Sequence, residues 1–447
     1  MLNEKLDQYL KEDYYPFHMP GAKRSNLLRN DLPYKRDLTE ISGFDNLNDP
    51  KDLFLVMESK IADIYGVADA IISTNGSTSG ILSTIRAITY ENKNILVQRT
   101  SHKAVYNAIE LNNLKADYID VILDENGAIC DINYEDIKNK ISSNKYSAIV
   151  LTSPSYEGYY LDLDKIYKLT KNKNIPLIID MAHGSHSILD GKFDKNFDIA
   201  ITSFHKNLSA LTPSSAILIN NKEYSKEIRR NMAIFQTSSP SYVILQSIDE
   251  MINKFDRFYN MYSNLKEKLD YIYNLDLKSL KIIDSERKDR SKILISTTMT
   301  NITGDDLENF LRDKKIEIEM SCPTYSLLIS SIFDTDDGFR RLKDALIEVD
   351  NKISKNNNKF YFSYKIPNKS LEISEALLRK KSIINLDEAK DKVSGQFVYA
   401  YPPGIPILTP GEIIDEDIIE NLNFFSNNKS KLNISNQILV VDWQKSV

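Results

Sequence analysis

A chain of 447 residues, 42% hydrophobic and 27% charged, has the make-up of a globular protein with a large core, and its length predicts roughly two to three domains. Lys and Arg total 57 against 63 Asp and Glu, a net charge of −6 with no long block of either sign, which argues against a nucleic-acid-binding surface. No apolar run is long enough to span a bilayer, Met1-Leu2-Asn3-Glu4-Lys5-Leu6-Asp7 is too polar for a signal peptide, and two cysteines, Cys130 and Cys322, cannot make a disulfide framework. The chain therefore reads as soluble and cytoplasmic.

Residues 1–49 read as an arm: a helix, then the turn-rich Tyr15-Pro16-Phe17-His18-Met19-Pro20-Gly21, packed on the main domain or on a partner subunit. From residue 50 to 290, apolar runs of strand length alternate with amphipathic helical stretches. Leu53 to Tyr65 is a helix with apolar positions at Leu53, Val56, Met57, Ile61 and Ile64, stopped by Gly66. Strands are predicted at Ala70–Ser73, Ile95–Gln98, Tyr118–Ile122, Ala148–Thr152, Pro176–Asp180 and Ile199–Thr202, with helices at Ser77–Tyr90 and Lys103–Leu111 between them. This alternation predicts an α/β domain on a mainly parallel sheet, with ligands bound beyond the carboxyl ends of the strands. Residues 291–447 form a smaller C-terminal α/β domain, with strands at Ile293-Leu294-Ile295 and Lys315–Met320 and a helix around Asp337–Val349. A polar loop covers Ser354–Lys359, and the sole Trp443 packs the tail.

The residues able to do chemistry sit at those strand ends. Ser203-Phe204-His205-Lys206 follows one apolar run, and a second run ends in Asp180-Met181-Ala182-His183-Gly184-Ser185-His186. A lysine at a strand exit, with an aspartate ending a nearby strand, is the arrangement by which enzymes hold pyridoxal phosphate: the lysine takes the aldehyde as a Schiff base and the aspartate keeps the pyridine nitrogen protonated. All five histidines, His18, His102, His183, His186 and His205, lie in turn-like or strand-exit segments. Ser73-Thr74-Asn75-Gly76-Ser77-Thr78-Ser79-Gly80 follows a strand and opens a helix, where backbone N–H groups cradle phosphate. In isolation the same segment is an ordinary Ser/Thr cap. His102, in Arg99-Thr100-Ser101-His102-Lys103, either stacks on a pyridine face or caps the helix that begins at Lys103. Asp180, His183, His186 and His205 could also ligate zinc, but their spacing matches no zinc motif and no metal is assigned.

Taken in order, these segments resemble the ornithine/lysine/arginine decarboxylase family in its short form. The matches are Pro16-Phe17-His18-Met19-Pro20-Gly21, Asn75-Gly76-Ser77-Thr78, Ser101-His102-Lys103, Thr152-Ser153-Pro154-Ser155-Tyr156-Glu157-Gly158, Asp180-Met181-Ala182-His183-Gly184 and Ser203-Phe204-His205-Lys206. They continue with Gln236-Thr237-Ser238-Ser239-Pro240-Ser241-Tyr242, then Tyr401-Pro402-Pro403-Gly404-Ile405-Pro406 and Pro410-Gly411-Glu412. The resemblance implies a fold-type-I pyridoxal phosphate enzyme with an aspartate aminotransferase-like major domain. It implies Lys206 bearing the cofactor, with Ser203 and His205 beside it, and Asp180 on the pyridine nitrogen. Ala182 would pack under the ring with His183 nearby, His102 would stack on the other face, and Gly76, Ser77 and Thr78 would hold the phosphate.

It further implies a homodimer, or a larger assembly of dimers, with shared active sites, in which the Thr237-Ser238-Ser239-Pro240 segment reaches a neighbour's cofactor. Two positions depart from the family pattern: Ala22 stands where the arm usually has histidine, and Phe204 where the lysine motif more often has threonine. The reaction implied is decarboxylation of a basic amino acid (arginine, lysine or ornithine) to a polyamine-precursor amine and CO2, with Glu412 as candidate partner for the substrate's distal cation. An aminotransferase or aldolase would keep the same lysine and aspartate, and a non-catalytic relative would be expected to lose one of them.

Overall fold

The computed structural model describes residues 1–12, 14–356, 365–401, 405–427 and 431–442. Trp443, the end of the polar stretch from Asn357 to Lys359, and Pro402-Pro403-Gly404 lie outside the described residues. The chain divides into two units, one of residues 1–90 and 176–263, the other of residues 91–175 and 264–447.

In the first unit four strands run in the order Asp69–Ser73, Ser215–Ile219, Ile199–Ser203, Leu177–Met181. The last two are parallel, with Asp180 beside Ile201 and Met181 beside Thr202, so both chains emerge at the same edge. Ser215–Ile219 pairs antiparallel on both sides, Thr202 facing Ala216 and Ile72 facing Ala216. Sequence patterning missed this strand. All five of its residues are buried, so it lacks the alternation that marks a half-exposed strand, and it reads like any short apolar run.

The helix Leu53–Tyr65 has its predicted limits, and Gly66 ends it in the left-handed conformation (φ 60°), its N–H capping Ala62 and Asp63 carbonyls. Of the apolar positions that mark it in the sequence, Met57 and Ile61 are buried and Leu53 and Ile64 partly buried. Phe54, Met57, Ile61 and Tyr65 face inward while Val56 is exposed. Leu53-Phe54-Leu55-Val56-Met57 is apolar all round, so either stripe satisfies the helical period. Glu58 decides between them: it is buried with this face, accepts from Ile72 N at 3.0 Å and pairs with Arg229 at 2.8 Å. Each of the large apolar side chains contributes about 1.5–3 kcal/mol by burial. The arm begins as the helix Leu2–Lys11, which buries Leu2 and Leu6 and is tied to the helix Tyr242–Tyr273 by Asn3 N donating to Asp249 Oδ2 at 3.0 Å. Beyond it the arm exposes apolar side chains, Phe17 at 91% and Leu27 at 96%.

In the second unit Ala148–Thr152, Asn94–Gln98 and Lys115–Ile119 form parallel neighbours. The strand predicted over Tyr118–Ile122 is instead two. The first ends at Ile119, and after Asp120 the chain enters Val121–Leu123, a hairpin partner of Ile129–Ile132. A four-stranded antiparallel sheet runs Lys281–Ile283, Lys292–Ser296, Tyr325–Ile329, Met320–Cys322, with helices Gly304–Asp313 and Asp336–Lys352. The strand predicted from Lys315 starts only at Met320. Lys315 is spent closing the preceding helix in the left-handed region (φ 61°), and Ile316 N bonds back to Leu311 O.

Candidate active site

The first unit gathers most of the predicted residues at one edge of its strands. Asp180 is 4% exposed and accepts from Ala182 N at 3.1 Å. Lys206 lies on the one-turn helix Phe204–Asn207 that follows Ser203, half-buried, with Nζ 2.8 Å from Nε2 of the buried His183. The two nitrogens lie within hydrogen-bond distance, with the donor set by the imidazole tautomer. The His205 ring turns the other way, Nδ1 lying 2.8 Å from Ser214 O. A carbonyl only accepts, so Nδ1 carries a proton. Burial lowers the pKa of His205 below the ordinary histidine value, the charge of Lys206 adding to this and the Ser214 bond opposing it.

The candidate phosphate cradle lies in the same unit. Gly76 opens the helix Gly76–Ile88 at φ 73°, a conformation that favours glycine. The Asn75 side chain makes no capping bond, leaving the first-turn N–H groups without that partner. Ser77 and Ser203 hydroxyls meet at 2.6 Å, both buried, while Thr78 is exposed on the first turn. Thr74, Thr202 and Ser214 hydroxyls and the Asn207 carboxamide are buried without a hydrogen-bond partner among the described residues. A pool of idle buried donors around an uncapped helix start, beside a lysine and an aspartate, fits pyridoxal phosphate.

Sequence reasoning passed over Asn207 here and quoted Gln236 only as part of a matched segment. Asn207 follows Lys206 directly and is buried. Gln236 accepts from Thr74 N at 3.1 Å and donates to Asn48 Oδ1 at 3.2 Å, and Thr237 N reaches Asn75 Oδ1 at 3.4 Å. The Gln236-Thr237 segment therefore braces the cradle turn of its own chain.

The second unit holds His102 and Glu412. His102 caps the helix Lys103–Leu111, its Nδ1 accepting from Ala104 N at 3.2 Å, which leaves the proton for Nε2. Glu412 is completely buried, and its Oε2 takes the guanidinium of Arg99 at 2.9 Å and Thr409 N at 2.7 Å. Burial works against the Arg99 charge, yet Glu412 and then Tyr106 and Tyr118 more than offset it and push the arginine's pKa up. Arg99 stood unassigned in the sequence, two residues before the Ser101-His102-Lys103 motif. The Glu157 carboxyl of the Thr152–Gly158 motif accepts from Ser155 Oγ at 3.1 Å and Tyr325 OH at 3.0 Å, and burial raises its pKa. No helix among the described residues is long and apolar enough to cross a membrane.

Comparison with known proteins agrees in order and extent. The family described as Orn/Lys/Arg decarboxylase, major domain, matches residues 2–270, and its C-terminal domain matches residues 363–433. The arginine decarboxylase of Bacillus subtilis strain 168 is 27% identical over 456 aligned residues, covering 95% of this chain and 92% of that one. That of Bacillus anthracis is 27% identical over 448, covering 93% and 90%. Among solved structures, the constitutive lysine decarboxylase of E. coli superposes with a TM-score of 0.82 at 16% identity, over 99% of this chain and 82% of that one, a likeness of fold.

Proposed function

The chain belongs to the Orn/Lys/Arg decarboxylase family and is a pyridoxal phosphate-dependent amino acid decarboxylase, and from that premise we propose that its substrate is arginine. The Cα–carboxylate bond breaks, CO2 leaves, a proton is added at Cα, and the product is agmatine. The observation that carries the chemistry is the 2.8 Å contact between Lys206 Nζ and His183 Nε2, beside a buried Asp180. The likeness to arginine decarboxylases over nearly the whole chain supports the substrate. When bound, pyridoxal phosphate supplies the electron sink for the pair left behind by CO2.

The chain's own residues supply the rest. Lys206 Nζ would be the attachment point for the cofactor, hydrogen-bonded to His183, and Lys206 or a nearby histidine would add the proton at the substrate's Cα. The buried Asp180 carboxyl group would be the partner of the ring nitrogen, in a setting poor in water. Ala182 offers a side chain small enough to lie under a ring. Ser77, Ser203 and the N–H groups after Gly76, with Thr78, would take the phosphate, and His102 would present a ring face. His205 stays neutral, its Nδ1 committed to Ser214. Glu412, already paired with Arg99, is left out of the substrate contacts.

The test offers arginine, lysine and ornithine in parallel to the purified protein with pyridoxal phosphate, reading CO2 and amine. Arginine is expected to be turned over with the highest kcat/KM. A clear preference for lysine or ornithine would replace the substrate and keep the reaction; no release from any would overturn the function.

The same reading makes the protein a cytoplasmic enzyme of polyamine synthesis and a homodimer or an assembly of dimers. The exposed Phe17 and Leu27 of the arm support self-association. Sedimentation velocity is expected to show a dimer or larger; a monomer at all micromolar concentrations excludes it.

A further inference from the structure

Glu412 and Arg99 stand 313 residues apart in sequence, in the stretches matched by the C-terminal and major-domain families respectively, and both within the second unit. Arg99 leaves the strand Asn94–Gln98 with its N–H on Ile119 O at 3.1 Å, and only 2% of it is exposed. Its guanidinium makes a fork: Nη1 donates to Tyr106 OH at 3.1 Å, Nη2 to Ile407 O at 3.0 Å and to Glu412 Oε2 at 2.9 Å. Its Cζ lies 5.1 Å from the Tyr118 ring centroid, and Tyr106 OH returns a bond to the Arg99 carbonyl. Tyr106 is on the helix that His102 caps. The turn from Arg99 to His102 is thus held at one end by a buried ion pair and at the other by a helix whose tyrosine joins the same fork.

The acidic side of the pair is held by its backbone, its Oε1 being buried without a hydrogen-bond partner among the described residues. Glu412 donates from its N–H to Thr409 O at 3.2 Å, and its carbonyl accepts from Ser394 N at 2.8 Å. Gly411 before it has φ 91°, and a Cβ there would meet Leu371 O at 2.2 Å, so the approach is built for glycine. One carboxylate faces one guanidinium, both out of water. Bringing a second cation to Glu412 would leave that buried group with a net positive charge.

We propose that Glu412 is a positioning residue that acts through Arg99 to fix the turn presenting His102, and that it does not hold the substrate's distal cation. This rests on the reading above in which the His102 ring lies on the cofactor. Arginine rather than lysine is required because three acceptors on different elements are met by one planar fork.

The test compares wild type with Glu412→Gln, Arg99→Met and the double Arg99→Met/Glu412→Met, which removes both charges and spares the fold an unpaired one. Three quantities are read. They are kcat and KM for whichever of the three amino acids wild type turns over, the visible circular dichroism of the bound cofactor, and amide exchange of residues 99–111 in the cofactor-free protein. Both single variants are expected to lower kcat by about ten- to a hundredfold, the scale for removing a group that orients a functional side chain, with KM little changed. Both should alter the cofactor's dichroism and speed exchange over residues 99–111, and the double should show the same changes from wild type, no larger than in either single.

A Glu412→Gln effect confined to a raised KM, with Arg99→Met at wild-type KM and dichroism unaltered in both, would overturn the proposal and return Glu412 to the substrate. So would a double variant with wild-type kcat, dichroism and exchange. If wild type releases no CO2 from any substrate, the functional reading falls, while exchange and dichroism still decide whether the pair pins the turn.

Discussion

Lys206→Ala is expected to lower CO2 release by about a thousandfold or more and to abolish the visible absorbance that reports covalently held cofactor. The side chain lost is the amine that sits 2.8 Å from His183, and alanine suits the one-turn helix Phe204–Asn207, so the fold and its thermal midpoint should stay close to wild type. Lys206→Arg separates charge from nucleophilicity. It keeps a cation at the strand exit, but a guanidinium does not give up its proton near neutral pH, so it is expected to be as inactive as alanine. Activity in either variant within about tenfold of wild type would remove Lys206 from the reaction.

Asp180→Asn should leave a folded protein that binds cofactor and works about a hundred- to a thousandfold more slowly in kcat. The substitution preserves shape and retains an oxygen for the Ala182 N–H at 3.1 Å, so what it removes is the negative charge. At 4% exposure that charge acts through protein rather than water and is worth correspondingly more. A rate within a few-fold of wild type would show that the ring nitrogen takes its partner elsewhere. The cofactor absorbance, retained here and lost with Lys206→Ala, distinguishes loss of electrostatic support from loss of attachment.

Much of this is legible in the amino-acid sequence. The strand exits at Asp180 and Ser203 were readable because an apolar run of strand length gave way abruptly to small and polar residues. The helices Leu53–Tyr65 and Lys103–Leu111 were readable to the residue. What failed had physical causes. Ser215–Ile219 was invisible because a strand buried on both faces has no alternation. The apolar positions of Leu53–Tyr65 did not by themselves give its inward face, because an all-apolar first turn offers two stripes: Phe54 is buried and Val56 exposed, and the buried Glu58 on that face pairs with Arg229, far along the chain.

The amino-acid sequence by itself determined the fold class, the order of the motifs, and the residue types offered at each strand end: an amine, a carboxylate, small hydroxyls, a helix-opening glycine. Those are local properties, set by periodicity, by the φ a residue tolerates and by which groups can carry a proton or a charge. Only the tertiary structure decided pairings. It set Lys206 against His183, turned His205 away onto Ser214, laid Ser77 on Ser203, and matched Glu412 with Arg99. A buried charge must find its counter-charge wherever the packed chain brings one, and nothing in local pattern records an attraction across 313 residues.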